Sequence, residues 1–289
     1  MPPRAQCLLM DTASSSAPHP YDALTPDCVL DALSSVDLWP DGRLQPLGSY
    51  ENRVYQACLD APEQGSDKVV AKFYRPGRWS EAQVLEEHAF AQELLQAEVP
   101  VVAPWVLQGR TLHQHAGFAF SVSPWRGGRM PELDDWDTLE WLGRFLARLH
   151  VVGAQGRFVY RSVLNAQSMG YEPMQWLLTH ADMPAHVRAR WQPVCEQALT
   201  QAAQVLEATP YHAIRLHGDC HPGNILWTPV DEEGRGGPHF VDLDDARMGP
   251  AIQDLWMCIS GDRMQRSQQL STLVEGYEQI RDFDRRELA

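Results

Sequence analysis

The sequence predicts an α+β fold of two lobes, a small strand-rich N-terminal lobe and a larger, mostly helical C-terminal one. Three observations lead there. Up to about residue 125 the apolar residues come in short blocks and alternations punctuated by Gly, Pro and Asn, the pattern of strands and turns. Beyond about residue 126 they recur every three or four residues, the pattern of amphipathic helices. Late in the chain, His217-Gly218-Asp219 followed by Asn224 forms a loop motif, and Phe240-Val241-Asp242 follows it as an apolar segment ending in a carboxylate.

The bulk composition narrows the class. A chain of 289 residues suffices for two lobes sharing a cleft. Its formal net charge of -14 excludes the basic surface that nucleic acid or an anionic membrane demands. The 6 cysteines have no C-x-x-C spacing, which argues for reduced thiols in the cytoplasm and against a zinc site or a disulfide framework. The only apolar run near the N-terminus, Cys7 to Met10, is too short for a signal-peptide core, and no stretch is long enough to cross a bilayer. A monomer is expected.

In chain order, residues 1–20 are rich in Pro, Ser and Ala and read as a disordered tail. The N-lobe is expected over 21–125 and the helical lobe over 126–289. Thr25-Pro26 reads as an N-cap and first helical residue. Leu47 to Leu59 reads as strand, small-residue turn and strand, either a phosphate-covering loop through Ser49 or a plain hairpin. Lys68 to Tyr74 is a strand whose Lys72, within an apolar run, needs an anionic partner. Ser80 to Gln83 fits a capping box, opening a helix to about Gln96 with Val84, Leu85, Ala89, Phe90, Leu94 and Leu95 on its apolar face. Glu86 and Glu87 both lie inside it, and either could face Lys72. Val99 to Pro104 is expected to enter another strand, and Gly117 to Pro124 reads as a central strand. Trp125 to Arg129 would link the lobes.

Past that linker, Thr138 to His150 places leucines 139, 142, 146 and 149 on one helical face. A helix over Pro184 to Ala208 is expected to turn Trp191, Val194, Leu199, Ala203 and Leu206 inward. Thr228 to Pro238 is an acidic, glycine-rich hairpin connection, and Asp254 to Met257 opens another helix. His150 reads as a packing residue at a helix end.

The chemistry lies in the order of these parts. His217-x-Asp219 with Asn224 five residues on has the spacing of the phosphoryl-transfer catalytic loop. In that template the Asp accepts the proton of an attacking hydroxyl, and the Asn and a later strand carboxylate hold Mg²⁺ against the nucleotide phosphates. Here Asp219, Asn224 and Asp242 fill those roles. Asp244 would share the face of Asp242 by strand alternation, as a reserve metal ligand. Lys72, braced by the helix glutamate, would hold the α and β phosphates of ATP. His217 and Asp254 would buttress the loop. Cys220, beside Asp219, would sense oxidation only if exposed and of lowered pKa.

The segments L-H-G-D-C-H-P-G-N-I-L-W and F-V-D-L-D-D-A-R, with S-Y-E-N-R-V-Y-Q (49–56), K-F-Y-R-P-G-R-W (72–79) and L-E-E-H-A-F (85–90) in the corresponding order, resemble the aminoglycoside phosphotransferase-like kinases. The likeness runs from about Pro26 to the C-terminus and is greatest to the bacterial stress-response branch. It implies a two-lobed protein-kinase-like fold, ATP and Mg²⁺, and protein Ser/Thr hydroxyls as acceptors. By the resemblance Asp219 is the catalytic Asp, Asn224 and Asp242 the metal residues, Ser49 the nucleotide-loop serine and Glu87 the helix glutamate. The family continues into further C-terminal helices past the point matched by Ala289, so a C-terminally truncated helical lobe is expected. The competing expectations are a small-molecule hydroxyl kinase and a nucleotide-binding regulator without turnover.

Overall fold

The computed structural model describes residues 19–229, 231 and 236–288. Nearly all of the expected N-terminal tail, residues 1–18, lies outside these residues. Helix α1 (Pro26–Ser34) begins where Thr25 Oγ1 accepts the Cys28 N–H at 3.2 Å. Strands β1 (Pro40–Leu47), β2 (Arg53–Glu63) and β3 (Ser66–Phe73) follow, then helix α2 (Glu81–Gln96), β4 (His113–His115) and β5 (Phe118–Pro124). The strands form one antiparallel sheet in the order β1-β2-β3-β5-β4. That order sets Lys72 in the sheet interior, opposite Val54 on β2 and Ser121 on β5.

The C-terminal part contains α3 (Trp136–Gly153), α4 (Glu172–His180), α5 (Ala185–Ala208), β6 (Ile214–Leu216), β7 (Ile225–Thr228), β8 (Gly237–Phe240), β9 (Arg247–Gly249), α6 (Ile252–Trp256) and α7 (Arg263–Glu278). Strands β6 and β9 pair, as do β7 and β8, which makes two small ribbons that carry the loops of interest.

Two large apolar cores and a small cluster of Tyr74, Val84 and Leu112 result among the described residues. Val29, Ala32 and Leu33 of α1 pack with Val69, Ala71, Phe73, Phe120 and Val122 of the sheet. The second core joins Leu139, Leu142, Leu146 and Leu149 of α3 to Leu273, Val274 and Tyr277 of α7. Each of those leucines is fully buried, and burial of one such side chain contributes about 2 kcal/mol. Helices α3 and α7 touch backbone to backbone: a Cβ on Gly143 would stand 2.1 Å from the Leu273 carbonyl oxygen, and one on Gly276 2.1 Å from that of Glu140.

Helix α2 behaves differently from its place in the chain. Its capping box is as expected from Ser80 and Gln83. Its Phe90 and Leu94 belong to the helical core, not to the sheet core, so α2 bridges the two. The buried stripe is Val84, Glu87, His88, Phe90, Ala91 and Leu94, whereas Leu85 and Leu95 are exposed at 40% and 51%. The expected face is therefore corrected: the helix is rotated so that two polar residues look inward, where each finds a partner.

Three further expectations are corrected. Val99 to Pro104 forms no strand; it makes a single bridge from Val101 to Phe240, because Pro100 and Pro104 lack the N–H a ladder needs. Helix α5 has no fully buried residue: Trp191, Leu199, Ala203 and Leu206 are half-buried and Val194 is exposed. It packs on the π-helical stretch Gln167–Tyr171, where a Cβ on Gly170 would come 2.2 Å from the Leu199 side chain. Finally, β8 stops at Phe240. Asp242 adopts φ 61 and ψ 64, and Leu243–Asp245 coil into a 3₁₀ turn, so strand alternation does not govern Asp242 and Asp244.

Candidate active site

A cleft of about 680 Å³ opens between the sheet and the helical part. Leu47, Gly48 and Ser49 line it from the β1–β2 hairpin, Lys72 from β3, and Trp125 to Gly128 from the linker. Asn224, Leu226, Val241 and Asp242 line it from below. Val54, Val70 and Leu226 give this cleft an apolar part of its lining. Of the residues expected to act, Ser49, Lys72, Glu87, Asn224 and Asp242 all line this cleft, and Asp219 stands beside Asn224.

Lys72 Nζ lies 2.7 Å from Asp242 Oδ1 and 3.3 Å from Asp244 Oδ1. Burial works against its charge, but Asp242, Asp244 and Glu87 outweigh burial and push the ammonium pKa well above the ordinary value. For Asp242 the same contest ends the opposite way. Burial raises the carboxyl, and the Lys72 charge and hydrogen bond bring it below the usual carboxylate range. Its left-handed backbone is sparsely populated for a non-glycine residue and persists only where the surroundings fix it.

Asp244, expected as a reserve ligand, is heavily engaged. Its Oδ2 accepts from Asn52 Nδ2 at 3.2 Å and Trp79 Nε1 at 3.4 Å, and pairs with Arg78 Nη1 at 3.0 Å. Asn52 and Arg78 lie in the 49–56 and 72–79 segments of the sequence; their place in the motifs was legible, their partner was not. The two helix glutamates separate here. Glu87 is buried and pairs with Arg161 Nη2 at 3.2 Å, so the expected direct Lys72–Glu87 pair is replaced by Lys72 with the two aspartates and Glu87 with Arg161. Burial pushes the Glu87 carboxyl up to about 7, although Lys72 and Arg161 pull it down. Glu86 instead accepts the backbone N–H groups of Val159, Tyr160 and Arg161.

A second buried chain stands behind Lys72. Tyr74 Oη lies 2.7 Å from His88 Nε2 and 3.0 Å from Ser121 Oγ, and His88 Nδ1 lies 2.8 Å from Thr111 Oγ1. Burial, with the Lys72 and Arg161 charges adding, pushes His88 down to about 3, so the ring is neutral. Sequence reading missed Tyr74, His88 and Arg161, whose partners are remote in the chain.

The loop between β6 and β7 hangs from one buried carboxylate. Asp254 Oδ2 accepts the His217 N–H and Oδ1 the Gly218 N–H, both at 2.8 Å, and His150 Nε2 lies 3.0 Å from Oδ2. Burial raises Asp254, but the bonds from His150 and Gly218 hold it below the usual carboxylate range. Gly218 sits at φ 86 with the Asp245 carbonyl oxygen 2.1 Å from where a Cβ would stand, so only glycine fits. His217 Nε2 meets the Val241 carbonyl at 2.9 Å and Val241 N–H donates to the Asn224 carbonyl at 3.0 Å, which ties the loop to the Asp242 segment. Asn224 Nδ2 donates to the Asp219 carbonyl at 2.9 Å. The Asp219 carboxylate is 37% exposed and has His221 Nε2 3.6 Å away. Cys220 is buried, and burial together with Cys258 pushes its thiol well up, the opposite of what a redox sensor needs.

Residues 43–289 match the model of the phosphotransferase enzyme family. The chain is 42% identical over 268 residues to serine/threonine protein kinase RdoA of Salmonella typhimurium, taking in 93% of this chain and 78% of the relative. Stress response kinase A of Escherichia coli (strain K12) matches with the same identity and coverage. Among solved structures, amicoumacin kinase hAmiN in complex with AMP-PNP, Ca²⁺ and Ami superposes with a TM-score of 0.70 at 21% identity, over 89% of this chain and 78% of that one. A microcompartment-associated aminopropanol kinase gives 0.68 at 17% identity, over 91% and 83%. At such identities the two structures speak for a common fold.

Proposed function

The chain belongs to the phosphotransferase enzyme family, and from that premise we propose that it carries the γ-phosphoryl group of ATP, with Mg²⁺, to serine and threonine hydroxyls of proteins. The carrying observation is that Lys72, paired with Asp242 and Asp244, lines the same cleft as Asn224, whose amide is hydrogen-bonded to the Asp219 backbone. Protein acceptors are favoured by the 42% identity to a serine/threonine protein kinase over 93% of the chain. No helix among the described residues is long and apolar enough to cross a membrane; the cytoplasmic location is part of the proposal.

The residues fit the cation. Among the described residues there is no group of three or more His, Cys, Asp or Glu side chains suited to a metal. One carboxylate and one amide, both oxygen donors, suit Mg²⁺, which keeps waters and substrate phosphate oxygens in its shell. Asp242 and Asn224 would hold it, with Asp244 committed to Arg78, Asn52 and Trp79. Bound there, Mg²⁺ would neutralise charge on the β and γ phosphates.

The remaining work falls to the chain. Lys72, on its interior strand, binds the α and β phosphates in exchange for the aspartates it now contacts. The hairpin at Ser49 closes over the phosphates. Asp219, part-exposed beside Asn224, orients the acceptor hydroxyl and takes its proton. Asn224 holds the Asp219 backbone in register. Asp254 aims the loop by gripping its two amides.

The test is phosphate transfer from labelled ATP with Mg²⁺ to the chain itself, to a generic basic protein and to a panel of small hydroxyl compounds. Label on protein serine or threonine, reduced roughly 100- to 10,000-fold in Asp219→Asn with nucleotide binding retained, is expected. Label on small molecules alone would replace this reading with the second one, which the fold shared with amicoumacin and aminopropanol kinases favours.

A further inference from the structure

We infer that Arg161 is a positioning residue that fixes the backbone of the Asp242–Asp245 turn and couples it to helix α2; the inference rests on the reading of Asp242 as a metal ligand. Arg161 is buried, and every nitrogen of its planar fork is used. Nε donates to the Gln83 carbonyl at 2.8 Å, Nη1 to the Asp244 carbonyl at 2.7 Å and the Ala246 carbonyl at 3.0 Å, and Nη2 to Glu87 at 3.2 Å. The guanidinium also lies 4.7 Å from the centroid of the Trp79 ring, whose Nε1 reaches Asp244.

The bonds to Asp244 and Ala246 are the informative ones. Asp242 holds a left-handed backbone that a non-glycine residue leaves unless its flanks are pinned. On the upstream side His217 holds the Val241 carbonyl and Asn224 the Val241 N–H. On the downstream side the carbonyls of Asp244, inside the turn, and Ala246, just past it, are both held by one nitrogen of Arg161. Arg161 is itself held at both ends by α2: Glu86 accepts its N–H at 2.9 Å along with those of Tyr160 and Val159, and Glu87 accepts from its side chain. Adjacent glutamates of one helix thus grip one residue by backbone and side chain, and that residue grips the turn. Lysine, a point charge without a fork, could keep only part of this set.

The experiment is calorimetric titration with a non-hydrolysable ATP analogue, in excess Mg²⁺ and separately in EDTA. The comparison is Glu87→Gln against the double variant Glu87→Gln, Arg161→Met, so that no buried carboxylate is left without its cation. Affinity in Mg²⁺ is expected to fall about 10- to 100-fold on adding Arg161→Met, the usual cost of removing a group that orients a metal ligand. Affinity in EDTA should change by less than about 3-fold, a difference of under 1 kcal/mol. Equal losses in both buffers would make Arg161 a structural residue only and overturn the inference, as would no loss in Mg²⁺. If the double variant does not fold, Arg161→Lys in the same background is read by the same criterion, with an intermediate loss expected. Wild-type protein that binds the analogue equally with and without Mg²⁺ would overturn the metal reading of Asp242 itself, and this inference with it.

Discussion

Glu87 is buried beside Arg161, yet its carboxyl is pushed from an ordinary 4.5 up to about 7. The folded protein therefore binds one more proton than the unfolded chain between those two values. Stability linked to this group is fully present below pH 4.5 and is lost as pH rises through about 7. Glu87→Gln keeps the shape and an acceptor oxygen for Arg161 while removing the titration. Variant and wild type should be about equally stable at pH 4.5. At about 1.4 kcal/mol per pH unit, the gap should then open to about 3 kcal/mol in favour of the variant by pH 8. His88 titrates with the opposite sign: pushed down to about 3 from 6.5, it contributes stability above 6.5 that is lost as pH falls. Both proteins carry it, so it cancels in the difference. Urea unfolding at about pH 4.5, 6 and 8 measures the gap. A gap constant within about 0.5 kcal/mol, or one that widens against the variant as pH rises, would refute the reasoning and make the Arg161 and Lys72 charges stronger than burial.

Other perturbations read different parts of the site. Asp242→Ala should weaken binding of the Mg²⁺ complex of ATP in calorimetry while leaving the metal-free nucleotide nearly unaffected; unchanged binding of both would shift the metal role to Asp244. Asp254→Asn removes a buried charge that accepts two loop amides and faces His150, and should cost about 2–3 kcal/mol in urea unfolding and lower turnover with little change in nucleotide affinity. Gly143→Ala drives a methyl to 2.1 Å from the Leu273 carbonyl and should destabilise by at least about 1–3 kcal/mol, seen as a lower midpoint with an unchanged slope.

What could be read from the sequence was what local rules determine. The His217–Asn224 loop, the capping box at Ser80 and the leucine stripe of α3 each depend on residues within a few positions, and each is present in the fold. The role of Asp254 followed from its place after the loop. What escaped were partnerships across long separations. Nothing near Glu87 announces Arg161, 74 residues away, nor anything near Lys72 the aspartate 170 residues away that now holds it. Choosing between Glu86 and Glu87 required knowing that one faces a backbone and the other a side chain. The error at α5 has another cause. An apolar stripe predicts which face will be covered, but it does not supply the partner, and the face of α5 ends only half-buried. At Asp242 an apolar strand pattern ran into a left-handed residue, a break that no propensity marks.

The suspension of the loop from Asp254 has a consequence for how the protein moves. The amide protons of His217 and Gly218 point at a carboxylate buried among His150, α3 and α7, so solvent reaches them only when that helical core opens. In hydrogen exchange they belong with the slowest protons of the molecule. The turn from Gly48 to Tyr50 lies between strands, is half to fully exposed and shares no buried cluster, which puts its amides among the fastest. The breathing of the cleft is then one-sided, a quick hairpin above a base held as still as the core itself.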